Sequence, residues 1–172
     1  MISVLLSVQP EWVDKICNVL FFKDGLPVYE KEDEVRKTRP SVSVPFKVYI
    51  YESRRRKKVI GHFICDRIAE IYPFEHAAGV FFNTFGKTGL SLDEYEAYAG
   101  GKKVYFWHIS ALNVYDKPRE LSEFITPTEC KSGVAKDMMC NTCCLSAEFC
   151  SKKPKRITRP PQSWCYVWEE GT

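Results

Sequence analysis

The stretch YEKEDEVRKTRP, residues 29 to 40, places eight charged side chains of both signs in twelve positions. A carboxylate beside an arginine can fix the orientation of the guanidinium, and a nearby lysine adds a point charge or, if loss of water lowers its pKa, a base. Lys31, Glu34 and Arg36 are candidates for such a trio, whose chemistry suits recognition of a phosphate, a sugar or a base edge. The alternative is a solvated ladder of ion pairs, which contributes little to stability.

Alternation along an extended chain bears on whether these three side chains can meet. Glu34 and Arg36 are two residues apart and share one face of a strand, whereas Lys31 points to the opposite face. The trio therefore converges only if the segment bends or bulges between Lys31 and Glu34.

Two basic clusters could contact nucleic-acid phosphates. The run RRRKK fills positions 54 to 58 and KKPKR fills positions 152 to 156, whereas the net charge of the chain is only +3. That balance neither requires nor excludes nucleic acid, so the local clusters carry the expectation. The alternative for each cluster is a solvated turn or loop. The candidate phosphate contacts are Arg54, Arg55, Arg56, Lys152, Lys153, Lys155 and Arg156.

Five of the eight cysteines crowd one region, CKSGVAKDMMCNTCCLSAEFC, which begins at position 130. Its single CxxC step and two flanking cysteines could supply four thiolates to a structural zinc ion, with Cys144 spare. The alternatives are free or oxidised thiols and an iron-sulfur cluster. The candidate ligands are Cys130, Cys140, Cys143 and Cys150. A bound metal would order a loop that contacts a protein partner or places the second basic cluster beside the cleft; no organic cofactor is expected.

Hydrophobic periodicity predicts the elements that must position these groups. A buried strand from Ile2 precedes a helix from Pro10 to about Leu20, whose apolar stripe, Trp12 included, is expected to face the core. FKVYIYES from position 46 and KKVIGHFICDRI from position 57 predict a hairpin with the first basic cluster at its tip.

The second half of the chain adds a helix and three strands. SLDE has the residues of a capping box and Gly100-Gly101 supplies a stop, which predicts a helix over residues 92–99. KKVYFWHIS and NVYDKPRELSEF predict two strands, and a last strand is centred on Trp164 to Trp168. Residues 126–159 lack such periodicity and form a cysteine-rich insertion before that last strand.

A chain of 172 residues suits one domain, which we expect to span residues 1–172. Short helices, two or three in number, and hairpin-type links predict an α+β fold built on a small, mostly antiparallel β-barrel. The sequence contains neither a run of about 20 apolar residues nor a charged leader, so we expect a soluble, cytoplasmic protein without a membrane partner.

The spacing of Lys31, Glu34 and Arg36 resembles the G-x-K-x-x-E-x-R signature of the ASCH domain family, of bacterial or phage type. Tyr29 stands where the signature has glycine. LLSVQPEWVDKI is similar to the family's opening strand and helix, VYIYES with KKVIGHF is similar to its central hairpin, and RPPQSWCYV is similar to its closing strand.

The resemblance implies a PUA-like β-barrel with a cleft that engages RNA or nucleotide-like ligands. It implies that Lys31, Glu34 and Arg36 lie at that cleft. Further candidate ligand-binding residues, in the closing segment, are Gln162, Ser163 and Trp164. Trp164 is a candidate to stack on a base, but the favoured alternative is a core aromatic of the last strand. RNA or nucleotide binding, with a regulatory role, is therefore the leading hypothesis.

Some small ASCH proteins are amidohydrolases that deacetylate N4-acetylcytidine. They use a lysine at the position of Lys31, a threonine at the position of Glu34, and a separate glutamate. In this chain the expected place for that glutamate, before the second helix, reads GKTGLS. Hydrolysis of a modified nucleoside, with Lys31 and Glu34 as the catalytic pair, is the alternative hypothesis. A metal-stabilised adaptor that binds a protein partner is a third.

Overall fold

The structure is a computed structural model that describes residues 2–72, 87–126 and 155–169. Two α-helices, a short 3-10 helix and twelve strands make up these ranges. In chain order they are β1 (Ser3–Val8), α1 (Pro10–Cys17), β2 (Val19–Lys23), β3 (Leu26–Tyr29), β4 (Asp33–Arg36), β5 (Phe46–Glu52), β6 (Lys58–Cys65), β7 (Ile68–Ile71), α2 (Leu92–Ala99), β8 (Val104–His108), β9 (Ser110–Arg119), the 3-10 helix Leu121–Glu123, β10 (Phe124–Thr126), β11 (Lys155–Arg156) and β12 (Trp164–Glu169).

Strand pairing defines three sheets. The largest has seven strands in the order β11-β10-β12-β1-β5-β6-β9, and the others have the orders β4-β8-β7 and β2-β3. All described pairs are antiparallel except β1 with β5. The predicted α+β class, rich in antiparallel sheet, is confirmed. Within the described ranges the pairs do not close into a ring, because β9 and β11 end the large sheet at separate edges.

The main core lies between the seven-stranded sheet, helix α1 and the three-stranded sheet. Its fully buried members include Val4, Ile16, Phe63 and Trp107. Because α1 has apolar residues at three- and four-residue spacing, it packs Val13 and Ile16 into this core. Strand β4 pairs with β8, and its Val35 packs in a second apolar cluster with Tyr95 of α2 and Phe106 of β8.

Local signals located most elements well. The β5–β6 hairpin has the basic cluster at its tip, and α2 spans residues 92–99 with a complete capping box between Ser91 and Glu94. Gly100 ends α2 in the left-handed conformation, with a φ of 57°. Helix α1, in contrast, ends at Cys17 rather than about Leu20, because the chain turns extended at Asn18 and enters β2.

No helix in the described part of the chain is long and apolar enough to cross a membrane.

Candidate functional site

Lys31, Glu34 and Arg36 converge in the structure. Nζ of Lys31 lies 3.3 Å from Oε2 of Glu34, and Nη2 of Arg36 lies 2.5 Å from Oε1 of the same carboxylate. The three side chains are only 3%, 6% and 13% exposed, respectively. One buried carboxylate therefore holds two cations on its two oxygens, which differs from a solvated ladder of ion pairs.

A bend before β4 brings Lys31 to the side of Glu34. The strand begins at Asp33, and residues 30–32 precede it without strand pairing. The amides of Glu32 and Asp33 both donate to the carbonyl of Lys87, at 2.7 and 2.9 Å, which fixes this departure from alternation. The bend between Lys31 and Glu34 that the three side chains need in order to converge is therefore present.

Tyr29 occupies the last position of β3, where a tyrosine is sterically ordinary. It pairs with Val19 across the β2–β3 hairpin and does not line the cleft described below. The position at which this chain departs from the signature therefore lies in the β2–β3 hairpin and outside the cleft.

The segment before α2 closes over Lys31. The ammonium of Lys31 donates to the carbonyl of Thr88 at 2.7 Å, and the ammonium of Lys15 donates to the carbonyl of Gly89 at 2.6 Å. Gly89 has a φ of +68°, and a Cβ there would lie 3.2 Å from Cδ of Lys15, so glycine suits both the turn and the close approach. A carbonyl meets Lys31 here, where the resemblance placed a carboxylate.

Trp12 lies beneath both lysines. The Nζ atoms of Lys15 and Lys31 are 4.7 and 5.2 Å from the centroid of its ring, within the range of cation–π attraction. The ring is only partly buried, although it packs against the main core. Trp12 thus forms an aromatic wall next to two cations.

Arg36 has an unused donor. Nη2 donates to the carbonyl of Ser7 at 3.3 Å, in addition to its contact with Glu34. Nε is buried and has no hydrogen-bond partner among the described residues. A buried donor of this kind costs free energy unless a ligand or water satisfies it.

Burial and charge set the protonation of the pair. Burial lowers the pKa of Lys31 below its usual 10.5, although the charge of Glu34 opposes this. Burial would raise the pKa of Glu34, but Lys31 and Arg36 outweigh it and hold that pKa below its usual 4.5. Glu34 is therefore an ionised carboxylate at neutral pH, beside a lysine that releases its proton more readily than a free lysine does.

Lys31, Glu34 and Arg36 line a cleft of about 380 Å³. Its charged and polar walls come from Lys31, Glu34, Arg36, Ser53, Arg54 and Gln162, its aromatic walls from Trp12 and Tyr98, and the remainder from Ser7, Val8, Gln9, Val35 and Leu90. The volume is within the range of small-ligand sites. Strand β1, helices α1 and α2, strand β4 and the β5–β6 tip all contribute to it.

The closing segment is divided between cleft and core. Gln162 lines the cleft, whereas Ser163 and Trp164 do not. Nε1 of Trp164 donates to Oγ1 of Thr38 at 3.0 Å, and its ring packs edge-on against Trp107 and Tyr166. Trp12, which the apolar stripe of α1 assigned to the core, packs against the core and also lines the cleft.

The first basic cluster is largely neutralised. Arg55 binds both oxygens of Asp14, at 2.7 and 3.1 Å, and also contacts Glu52 at 2.6 Å. Arg56 lies 3.3 Å from the other oxygen of Glu52, which is fully buried. Arg54 is exposed and is the member of the cluster that lines the cleft. The sequence could not show this, because the run RRR does not reveal which arginine meets a buried glutamate.

The second basic cluster and the cysteines contribute less to the described structure. Arg156 donates to the carbonyl of Ser122 at 3.1 Å on the outer strand β11, and of Lys155 only the backbone is described. Six of the candidate site residues lie outside the described ranges, namely Lys152, Lys153, Cys130, Cys140, Cys143 and Cys150. Within those ranges no group of three or more histidine, cysteine or acidic side chains could hold a metal ion. The cysteine site for zinc remains a prediction from the sequence.

We predict that Glu34→Gln lowers the free energy of unfolding by about 3–5 kcal/mol at pH 7, because it leaves Lys31 and Arg36 buried without a counter-charge. The pKa of Glu34 is depressed in the folded state, so the stability it supplies is present above pH 4.5 and is lost as the pH falls below it. The gap between wild type and variant should therefore shrink on acidification. Urea unfolding followed by tryptophan fluorescence at pH 7 and pH 3.5 measures both quantities.

Glu32→Gln is the matched control. Its carboxylate pairs with the half-exposed Lys87 at 2.9 Å, so the loss should be within about 1 kcal/mol. Equal effects of the two substitutions, or a Glu34→Gln deficit that persists unchanged at pH 3.5, would contradict the buried-carboxylate account.

Comparison with known proteins finds solved structures that share this fold. No protein-family model and no curated protein matches this sequence. Three crystal structures of the ASCH protein of Zymomonas mobilis do match its structure. The unaltered protein has 19% identity and a TM-score of 0.54, over 98% of this chain and 89% of its own. A tyrosine-to-phenylalanine mutant has 17% identity and a TM-score of 0.59, over 96% and 90% of the two chains. A serine-to-alanine mutant has 18% identity and a TM-score of 0.52, over 96% of this chain and 88% of its own. The resemblance read from Lys31, Glu34 and Arg36 is thus confirmed at the level of the fold: this chain has the ASCH fold.

Proposed function

We propose that this protein binds RNA or a nucleotide in the cleft lined by Lys31, Glu34 and Arg36. The observation that carries the proposal is the pair of buried cations held by one carboxylate beside the partly exposed Trp12 ring. A nucleotide offers an aromatic base to stack and anionic or polar groups to pair, and the cleft supplies a partner for each.

Each wall of the cleft has a role in this proposal. The unused Nε donor of Arg36 binds an acceptor on the base, sugar or phosphate, because Glu34 holds the guanidinium plane in place. Trp12 stacks on the base, and Tyr98 borders the same space. Arg54 at the rim meets a phosphate from solvent, where its charge acts over a distance.

We predict that single-stranded RNA binds with an affinity that falls as salt rises, and that Arg36→Ala weakens binding at least tenfold and reduces discrimination between ligands. Fluorescence anisotropy with labelled oligonucleotides and mononucleotides, at salt concentrations from 50 to 200 mM, measures this.

Arg54→Ala should weaken the binding of all ligands similarly and reduce the slope of log affinity against log salt concentration by about one. Trp12→Leu should cost about 1–3 kcal/mol of binding free energy through lost stacking.

Arg39→Ala is the matched control for Arg36→Ala. Arg39 is 56% exposed, pairs only loosely with Glu70 at 3.8 Å and does not line the cleft. Its loss should change affinity less than threefold. Absence of binding to every RNA and nucleotide at 50 mM salt, or equal losses for Arg36→Ala and Arg39→Ala, would overturn the proposal.

A second candidate function is hydrolysis of an amide on a modified nucleoside such as N4-acetylcytidine. The lowered pKa of Lys31, buried beside ionised Glu34, favours it, because a lysine that is neutral part of the time can act as a base. In that reaction Lys31 takes a proton from water, the hydroxide attacks the amide carbon, and the C–N bond breaks. The proton returns from Lys31 to the departing cytidine amine, and acetate is released.

We predict for this candidate that purified protein releases cytidine and acetate from N4-acetylcytidine, and that Lys31→Ala abolishes release. Chromatographic quantification of cytidine measures it. The activity should rise with pH as Lys31 loses its proton. Lys15→Ala is the control, because Lys15 shares the Trp12 ring but does not pair with Glu34. Binding of N4-acetylcytidine without turnover would leave ligand binding as the function and would exclude the hydrolase.

A further inference from the structure

The tip of the β5–β6 hairpin has basic residues where its backbone would favour others. Arg54 and Lys57 both have a positive φ, of 68° and 54°, in the left-handed region that turns usually fill with glycine, asparagine or aspartate. A residue with a Cβ is disfavoured in that conformation, so each position carries a local cost that glycine would avoid. Departures of this kind from local preference are most common at functional sites.

Only some of the basic residues at this tip are neutralised. Three of the five have acidic partners in the described structure, namely Arg55, Arg56 and Lys58. Arg54 and Lys57 are exposed, and neither forms an ion pair with a described residue. Of these two, only Arg54 lines the cleft. Arg54 therefore combines an uncompensated charge with a place at the rim of the site.

The residues on either side of Arg54 are anchored. The amide and the hydroxyl of Ser53 both donate to the carbonyl of Val8, at 2.8 and 3.0 Å, and the amide of Arg55 donates to the carbonyl of Ser53 at 2.9 Å. The guanidinium of Arg55 in turn binds Asp14 of α1. These contacts tie the tip to β1 and α1, which both line the cleft. The backbone of Arg54 is therefore held at the rim before any ligand binds.

The charge and the size of the cleft suit one phosphate group. Its charged lining consists of Lys31, Arg36 and Arg54 against the single carboxylate of Glu34, a formal surplus of two positive charges. A phosphomonoester carries a charge of about −1.5 to −2 at pH 7, whereas a phosphodiester within a strand carries about −1. The volume of about 380 Å³ is in the lower part of the range for small-ligand sites. A single nucleotide with a terminal phosphate fits both properties.

The hairpin tip does not continue the cleft as a basic groove. Proteins that bind single strands along their length have a positively charged groove that follows the phosphate backbone. In the part of the chain that the structure describes, Arg55 and Arg56, which follow Arg54, are held by carboxylates. The tip therefore suits recognition of one phosphate better than recognition of successive phosphates.

We propose that Arg54 makes the cleft selective for a nucleoside phosphomonoester, either a free mononucleotide or the phosphorylated end of a strand. The inference rests on the proposed function and names the ligand class of the same cleft. Arg54 forms charge-assisted hydrogen bonds with the terminal phosphate, while Arg36 and Trp12 contact the nucleoside. Because the anchored tip already places Arg54 at the rim, less ordering is needed when the phosphate binds.

Isothermal titration calorimetry of the full chain tests the proposal by comparing the common ribonucleosides with their 5′- and 3′-monophosphates. We expect a monophosphate to bind about tenfold or more tightly than its nucleoside, as hydrogen bonds to a charged group imply. Arg54→Gly should reduce this ratio to less than about threefold. The same substitution should not lower the urea concentration at the midpoint of unfolding, because glycine relieves the left-handed backbone at this position.

Lys57→Gly is the matched control. It removes the same charge and the same left-handed constraint from the same tip, but Lys57 does not line the cleft. The ratio of monophosphate to nucleoside affinity should therefore change by less than about twofold, since an exposed charge outside the site is screened by salt.

Oligonucleotides with a 5′-phosphate or a 5′-hydroxyl identify the source of the phosphate. Tighter binding of the phosphorylated strand, lost in Arg54→Gly, would support the end of a strand as the ligand. Selectivity for the phosphate among mononucleotides alone would support a free nucleotide.

Three results would contradict the selectivity of Arg54 and leave nucleotide or RNA binding intact. The first is a monophosphate affinity no higher than that of the nucleoside, and the second is an equal effect of Arg54→Gly and Lys57→Gly. The third is an affinity that grows with strand length whether or not the end is phosphorylated, because RNA would then be bound along its backbone. Absence of binding by every nucleoside, nucleotide and oligonucleotide would instead overturn the proposed function, and this inference with it.

Discussion

The buried carboxylate of Glu34 is the interaction on which the rest of the site depends. Lys31 and Arg36 are both withdrawn from water, and removing two cations from solvent without a counter-charge would cost several kcal/mol each. Glu34 offsets this cost with one oxygen for each cation. The bend at residues 30–32 and the carbonyls of Lys87 and Thr88 then fix where the lysine reaches the carboxylate. The fold around β4 is organised to keep three charges together in a space that water reaches poorly.

The same arrangement explains why two functions remain chemically close. Arg36 and Glu34 form a rigid, charged wall that suits a nucleotide whether or not it reacts. Hydrolysis has a further requirement, because Lys31 must be neutral for part of the time. Burial lowers the pKa of Lys31, but the charge of Glu34 opposes this. Thr88 and Gly89 provide carbonyls where the resemblance placed a separate glutamate. The proposed ligand binding would therefore use every wall of the cleft, whereas the proposed hydrolysis would depend on the protonation of a single lysine.

The sequence predicts best what is decided locally. The capping box at Ser91, the β5–β6 hairpin and the spacing of Lys31, Glu34 and Arg36 are short-range signals, and the structure contains all of them. The sequence predicts poorly the side-chain contacts that depend on residues distant along the chain. The apolar stripe of α1 predicts that Trp12 packs against the core, which it does, but it cannot show that the same ring also walls a cleft. Likewise, RRR gave no sign that the buried Glu52 engages Arg55 and Arg56, because that contact depends on how the hairpin closes.

Titration of Lys31 by NMR, on protein labelled at lysine Cε and with the signal assigned through Lys31→Arg, tests whether Glu34 keeps this buried lysine charged. We expect the pKa of Lys31 to lie below 10.5 in the wild type and to fall further in Glu34→Gln, because Glu34 supports the charged form against burial. A Lys31 that titrates at 10.5 or above, or one whose titration is unaffected by Glu34→Gln, would contradict it.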